Sequence, residues 1–288
     1  MRLLLPLAAL LVGGSLGLSA RAHGVELTQL LDRAGERVEL FFTRAQSLIC
    51  TELVSMQPLS SSLSADGLVR NVESELRVSW DPGADGPVTE AQVRRQVLKV
   101  NGRPPRANDH RSCTTPEQSD TETQPLSMLL PQQRVKYEFA LAGDGTIDGR
   151  NAYMLDFRET AKVSADVRPI EGLEECISYD LTGGQRGRVW IDADTFDVLR
   201  LDQRLSGMID LKMPRVMLRR PGAPTHLTLE RADTSMRFAR VAFTQPDESL
   251  LLPATISELR VVRPSSRLRT TTKYLNYKRF LTGSRVVG

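Results

Sequence analysis

This sequence contains few of the residues from which catalytic and metal sites are built. Its 288 residues include three cysteines, three histidines and two tryptophans, and aromatic residues make up only 5%. It contains no Walker phosphate loop, glycine-rich dinucleotide fingerprint, zinc-protease helix or paired-cysteine metal motif. We therefore expect no cofactor and no metal, and the lack of a catalytic constellation favours a protein that is not an enzyme.

Lysine is also rare, and the charge balance is nearly neutral. Only six of the 38 basic residues are lysines. The first 22 residues contain two arginines and no acid, which leaves 36 basic and 35 acidic side chains in residues 23–288, a net charge of +1. Proteins that bind nucleic acid usually concentrate positive charge. The composition therefore predicts no nucleic-acid partner.

Residues 1–22 are predicted to be a cleaved export signal. Arg2 precedes an apolar stretch, residues 3–18, and Ala20-Arg21-Ala22 is a small-x-small cleavage pattern. Glycines and a serine at positions 13–17 interrupt the run before it reaches the roughly 20 apolar residues of a membrane span. We expect a mature chain beginning at His23, with no transmembrane segment after cleavage, located in the periplasm or secreted.

Two of the three histidines keep one enzymatic alternative open. A terminal His23 with its free amine could hold copper, although a frayed terminus explains the residue more simply. His110 lies in a polar segment with Cys113, where a Cys/His nucleophilic pair is conceivable. An exported cysteine is more often in a disulfide.

Three cysteines allow one disulfide and one free thiol. Cys113 and Cys176 both lie in polar, turn-rich sequence, while Cys50 follows the apolar pair Leu48-Ile49. We predict a Cys113–Cys176 disulfide and a buried Cys50.

Residues 25–49 predict one long helix. Apolar side chains recur there at steps of three and four, the pattern of an amphipathic helix. Glu26 near its start and Arg44 near its end suit the helix dipole.

Strands are predicted for most of the remaining chain, because apolar residues alternate there between turn signals. The turns of the hairpin at 135–157 are assigned to residues 143–145 and 148–149, and residues 160–184 are taken as a connection. The strands are predicted at residues 51–57, 68–80, 92–100, 135–141, 153–157, 227–243, 251–262 and 268–280, with a further hairpin at 186–205.

The hairpin at residues 186–205 is the clearest element of the sequence. Trp190 is expected to lie across from Leu199, with a polar turn between the strands. Asp192, Asp194 and Asp197 resemble part of a calcium loop, but the central glycine and the distal glutamate of such a loop are missing. Aspartates also bond the backbone of their own turn, and we favour that interpretation.

One helix followed by nine or ten long antiparallel strands predicts an α+β fold. A sheet of this size curls, so we expect a strongly curved antiparallel sheet, an incomplete barrel, wrapped around or capped by the N-terminal helix. No break in composition divides residues 23–288, which are predicted to form a single domain with a polar loop at 106–124.

Several short motifs resemble those of exported carrier proteins. They are Gly187-Arg188-Val189-Trp190-Ile191-Asp192 with Thr195, Val198-Leu199-Arg200-Leu201, residues 52–57, Phe157-Arg158 and Asn276-Tyr277-Lys278-Arg279-Phe280. Together they resemble the LolA/LolB and LppX-like half-barrel superfamily of periplasmic lipoprotein carriers. This resemblance implies an incomplete antiparallel barrel, closed by helices, with an apolar interior that receives acyl chains. The chain is longer than these carriers and carries the additional polar loop.

These observations favour a non-enzymatic periplasmic binding or carrier protein for an apolar small molecule or lipid. The alternative is a structural or assembly protein of the cell envelope that acts through protein contacts, and the sequence does not identify such a partner. The candidate apolar ligand face consists of Phe139, Leu141, Trp190, Leu199 and Leu201.

Overall fold

The computed structural model describes residues 25–45, 47–80, 91–106, 109, 125–170, 173–219, 224–244 and 247–279. The predicted export signal, His23, His110, Cys113 and most of the polar loop at 106–124 lie outside these residues.

The described chain contains one long helix and thirteen strands. The helices are α1 (Leu27–Arg44) and α2 (Pro131–Arg134), with 3-10 helices at Pro125–Leu129 and Met217–Arg219. The strands are β1 (Ser47–Pro58), β2 (Arg70–Trp80), β3 (Ala91–Val100), β4 (Tyr137–Ile147), β5 (Arg150–Glu159), β6 (Ser164–Ile170), β7 (Leu173–Thr182), β8 (Gln185–Asp192), β9 (Val198–Leu205), β10 (Ile209–Lys212), β11 (His226–Thr244), β12 (Asp247–Arg263) and β13 (Ser266–Arg279).

Eleven of the strands form one antiparallel sheet. Its order is β3-β2-β1-β13-β12-β11-β9-β8-β5-β4, and β10 pairs with the start of β11. Because β3 and β4 are not paired with each other, the sheet stays open. Helix α1 packs on one face, which we call the inner face; the opposite side is the outer face. The predicted α+β half-barrel is therefore confirmed.

Helix α1 forms because its apolar residues make one stripe, and it ends earlier than predicted. Its buried residues are Leu30, Ala34, Gly35, Val38 and Phe42. The prediction that the helix runs to residue 49 was wrong. From Leu48 the burial alternates along the chain, and the backbone pairs with β2 on one side and β13 on the other. Ladder hydrogen bonds with two neighbours outweigh the apolar helix pattern in this segment.

Two predicted connections are strands in the structure. Residues 160–184 contain β6 and β7, which pair as a separate two-stranded sheet. Their apolar side chains, including Val167 and Tyr179, pack on a cluster at the end of the inner face around Leu211 and Leu229. Residues 143–145 lie within β4, and only Asp148-Gly149 forms the turn, with φ of 49° and 79°.

The main core lies between α1 and the inner face. It combines the stripe of α1 with the 3-10 helix Pro125–Leu129 and the inward side chains of β1, β5, β8, β9, β11 and β12. At Gly187 on β8 the Phe157 ring from β5 lies over the backbone. A Cβ on residue 187 would be 1.9 Å from the Asp202 carbonyl oxygen and 2.8 Å from that ring. Glycine is therefore required at this crossing.

Candidate ligand cavity beneath the helix

An apolar cavity of about 70 Å³ lies between α1 and the inner face of the sheet. The helix side is formed by Phe41 and Ala45, and the 3-10 helix contributes Pro125 and Leu126. The sheet side is formed by Leu48, Cys50, Leu76, Val78, Val93, Arg95, Met236, Phe238, Leu252, Pro253, Ile256, Tyr274 and Tyr277. The cavity therefore lies where the N-terminal strands β1–β3 meet the C-terminal strands β11–β13.

One buried ion pair forms the polar part of the cavity wall. Glu52 on β1 binds Arg95 on β3 through two hydrogen bonds, with Nε–Oε2 and Nη2–Oε1 distances of 2.6 and 2.9 Å. The exposed fractions of the two side chains are 1% and 7%. A two-point contact of this kind satisfies both charges of the buried pair. The cavity wall therefore contains charged groups but has no net charge.

A β-bulge turns a second tyrosine toward the cavity. Ile49 pairs with Lys278 and Thr51 with Leu275, so β13 has an extra residue at this point. Asn276 takes up the irregularity with a φ of 55°, a conformation that asparagine tolerates well. A bulge re-aims the side chains beyond it, and Tyr277 lines the cavity together with Tyr274.

The thiol and the phenol in this wall are uncharged at neutral pH. Burial, reinforced by the nearby Glu52 carboxylate, raises the pKa of the Cys50 thiol to about 12. Burial also raises the pKa of Tyr277 well above its ordinary value, and its hydroxyl donates to the Pro253 carbonyl at 2.7 Å. Cys50 therefore has no appreciable thiolate with which to act as a nucleophile.

Polar side chains fasten α1 over the cavity at its periphery. Arg134 on α2 donates to the Leu129 carbonyl at 2.7 Å, to the Leu31 carbonyl, and to Asp32 at 2.7 Å. On the other side, Arg37 on α1 binds Asp197 with a 2.7 Å Nε–Oδ1 contact.

Asp197 belongs to the turn of the 186–205 hairpin, where Asp192 bonds the backbone of the turn, as predicted. The Asp192 carboxylate accepts from the backbone N–H groups of Asp194 and Thr195 at 3.1 and 2.8 Å. The contact between Asp197 and α1 was not predicted, because it joins residues 160 positions apart.

The five residues of the predicted ligand face do not line the cavity, which lies under other strands. Leu141 and Leu201 share the inner face by register, and so does Phe139. Trp190 pairs with Arg200 on the outer face, which corrects the expected Trp190–Leu199 pairing; its ring centroid lies 4.7 Å from the Arg200 guanidinium carbon. Leu199 is buried at the β8–β9 bulge. Contact of these residues with a ligand stays a prediction.

Of the cysteines, Cys50 is free and buried, as predicted. Cys176 is disulfide-bonded and buried, and it lies in β7 rather than in a turn. Because Cys113 is outside the described residues, the Cys113–Cys176 pairing stays a prediction.

Sequence reasoning missed Glu52, Arg95 and Tyr277, although one signal was present. Positions 50, 52, 54 and 56 alternate as the buried side of β1, and Glu52 is the charged residue among them. A carboxylate in the apolar phase of a strand indicates a buried partner. Its identity depends on the register of β3, which local sequence does not give.

Within the described ranges, no group of three histidine, cysteine, aspartate or glutamate side chains could hold a metal ion. In the same part of the chain, none of the helices has both the length and the apolar character needed to cross a membrane.

Comparison with known proteins finds similar solved structures of low sequence identity. No family model matches it, and no curated protein matches it. A DUF1329 family protein from Desulfovibrio piger is similar with a TM-score of 0.44 and 12% identity, over 89% of this chain and 94% of that one. A domain described as an outer membrane lipoprotein-sorting protein, from Vibrio parahaemolyticus, is similar with a TM-score of 0.39 and 13% identity, over 88% and 94%.

A third similar structure is the LolA superfamily protein NE2245 from Nitrosomonas europaea. Its TM-score is 0.32 and its identity 10%, over 90% of this chain and 96% of that one. The half-barrel expected from the sequence motifs is the fold that the strand order confirms.

Proposed function

We propose that this chain is a non-enzymatic periplasmic carrier or binding protein whose apolar, lipid-class ligand binds between α1 and the inner face. The observation that supports this proposal is the composition of the cavity wall. Among its seventeen lining residues Arg95 is the one charged side chain, and Glu52 neutralises it. A periplasmic location is supported by the export signal predicted at residues 1–22.

The size of the cavity implies that α1 moves when a ligand enters. Pockets for small molecules usually enclose about 300–1,000 Å³, whereas this cavity measures about 70 Å³. The room for a ligand would come from displacing the apolar stripe of α1 and the 3-10 helix beside it. The contacts that Arg37 and Arg134 make at the periphery of α1 would have to break as the helix moves.

An acyl chain is a suitable occupant because it needs no specific polar partner. Each buried CH₂ group gains about 0.8 kcal/mol. A chain of several such groups can therefore replace the contacts that Phe41 and the rest of the stripe make with the sheet.

The test combines lipid analysis with a variant that fills the cavity from the sheet side. Lipid extraction and native mass spectrometry of gently purified protein should find a co-purified acyl compound. In a titration with cis-parinaric acid, Val78→Phe should weaken binding at least tenfold, about 1.4 kcal/mol, because the ring occupies the cavity wherever α1 moves.

A matched control is Val167→Phe, which places the same ring at a half-buried strand valine outside the cavity. It should bind the probe like the unaltered protein. Protein that carries no lipid and binds no probe, or Val78→Phe protein with full affinity, would overturn the proposal.

A second candidate is an assembly role in the cell envelope through strand addition. Strand β4 has eleven residues and, among the described strands, pairs only with β5. An unpaired strand edge can accept an extended peptide. Replacing Thr146, whose N–H points away from β5 by the register of this hairpin, by proline should remove such a partner in a pull-down while leaving probe binding intact.

A further inference from the structure

Three arginines lie side by side on the outer face of the sheet. Arg158 on β5 pairs in register with Arg186 on β8, and Arg186 pairs with Arg204 on β9. Neighbouring strands are about 4.8 Å apart, and like charges at directly opposed positions destabilise a sheet. An anion bound across this row would remove that repulsion.

Only the first of these arginines has a counter-ion among the described residues. Glu138 on β4 binds Arg158 with an Nη2–Oε2 distance of 2.6 Å. Arg186 and Arg204 are exposed, and neither makes an ion pair or a side-chain hydrogen bond within the described part of the chain. Two adjacent guanidinium groups are therefore available to a ligand.

In the next row of the same face, by contrast, positive and negative side chains lie next to each other. This row crosses four strands and consists, in register, of Asp156, Arg188, Asp202 and Ser235. Asp156 binds Arg188 at 2.5 and 3.0 Å, and Asp202 accepts from Ser235 at 2.7 Å. Charges alternate and are satisfied in that row, so the excess lies in the row of Arg186 and Arg204.

The arginine row lies in an outer-face groove of about 750 Å³ that crosses β5, β8, β9, β11, β12 and β13. Six arginines and four acidic residues line it, an excess of two positive charges. Strands β5, β8 and β9 each have a hydrogen-bonded neighbour on both sides. Their backbone groups are occupied by the sheet, so side chains must hold any ligand.

We propose that this groove binds a phosphate-class oxyanion, held by the guanidinium groups of Arg186 and Arg204 with Arg158 beside them. A guanidinium fork donates two parallel hydrogen bonds to a phosphate. A tetrahedral phosphate has enough oxygens to present a separate pair to each of two arginines, whereas both forks would have to share the two oxygens of a carboxylate. An extended acidic peptide would also find no free backbone partner on these interior strands.

The test is calorimetric titration with pyrophosphate at low ionic strength, where electrostatic binding is strongest. Arg186→Gln/Arg204→Gln protein should lose at least tenfold in affinity. The affinity of Arg186→Lys/Arg204→Lys protein for pyrophosphate should lie between those of the unaltered protein and the glutamine variant. Lysine keeps the positive charge but cannot donate the paired hydrogen bonds of a guanidinium group. Arg94→Gln/Arg215→Gln protein is the matched control, since both residues are exposed and lie outside the groove.

Stability provides a second measurement. Because the glutamine pair removes like charges from opposed positions, its melting temperature should equal or exceed that of the unaltered protein, so lost binding cannot be attributed to lost folding. Co-sedimentation with phosphatidylcholine vesicles, with and without phosphatidylglycerol, separates a lipid headgroup from a soluble phosphate as the source of the anion.

Binding of pyrophosphate or of anionic vesicles that depends on Arg186 and Arg204 supports the proposal. Failure to bind both pyrophosphate and anionic vesicles overturns it. The proposal is also overturned if the Arg94/Arg215 control loses as much affinity for pyrophosphate as the Arg186/Arg204 variant. Binding of poly-glutamate in place of phosphate would overturn it as well. None of these outcomes involves the cavity under α1.

Discussion

Replacing Glu52 by glutamine should remove a large part of the stability of the fold. The substitution keeps nearly the same side-chain volume and takes away the negative charge, which leaves the Arg95 guanidinium buried without its carboxylate. The two side chains are 1% and 7% exposed, so bulk solvent screens the remaining charge only weakly.

The expected loss is about 3–5 kcal/mol, the usual cost of breaking a buried ion pair from one side. Two unit charges about 4 Å apart attract by roughly 4 kcal/mol at an effective dielectric constant near 20, which agrees with that range. Since a domain is stable by about 5–15 kcal/mol, Glu52→Gln protein should be close to unfolding.

Urea denaturation of a double-mutant cycle measures this effect. Arg95→Met alone should also be strongly destabilising, whereas Glu52→Gln/Arg95→Met protein should lose much less than the sum of the two single losses. The control is Glu73→Gln, which breaks the exposed Lys99–Glu73 pair between β2 and β3 and should cost under about 1 kcal/mol. A Glu52→Gln loss no larger than that of Glu73→Gln would refute the reasoning.

Two further predictions concern the core and a thiol. Gly187→Ala should destabilise the protein by roughly 1–3 kcal/mol, because the new methyl group would meet the Asp202 carbonyl oxygen at 1.9 Å. Gly207→Ala, where no atom lies within 4 Å, should leave the thermal melting point unchanged. The Cys50 thiol, with its pKa raised to about 12, should not react with iodoacetamide at pH 8 until the protein is unfolded. Because the unfolded thiol has a pKa near 8.5, the stability that this shift contributes is complete below about pH 8.5 and is lost as pH rises toward about 12. The fall in unfolding free energy over that window should be smaller in Cys50→Ala protein, and an equal fall in both would contradict the prediction.

The local sequence pattern was sufficient to predict elements whose strands and turn are neighbours in sequence. Val189 and Ile191 alternate with polar residues before a turn that bonds through Asp192, so the β8–β9 hairpin could be predicted from twenty residues. The amphipathic stripe of α1 was equally local, and its existence was correctly predicted.

The errors arose where a distant strand decides the outcome. The apolar pattern from residue 45 to 49 suits a helix, but pairing with Lys278 and Arg77 places Ile49 in β1. The cross-strand partner of Trp190 depends on the bulge that sets it against Arg200. The cavity could not be predicted because its wall combines β1–β3 with β11–β13. The sequence of one group of strands does not determine its register with the other group.

The position of β1 between β2 and β13 has a consequence for the order of folding. Among the described strands, the β1–β13 ladder alone joins β1–β3 to the rest of the large sheet, and its Ile49–Lys278 pair closes a loop of more than two hundred residues. Such distant pairing is slow because chain entropy is lost before contacts are gained. Until β13 is available, β1 exposes a bare edge twelve residues long, and this edge is where a newly made chain is most open to aggregation or to a chaperone.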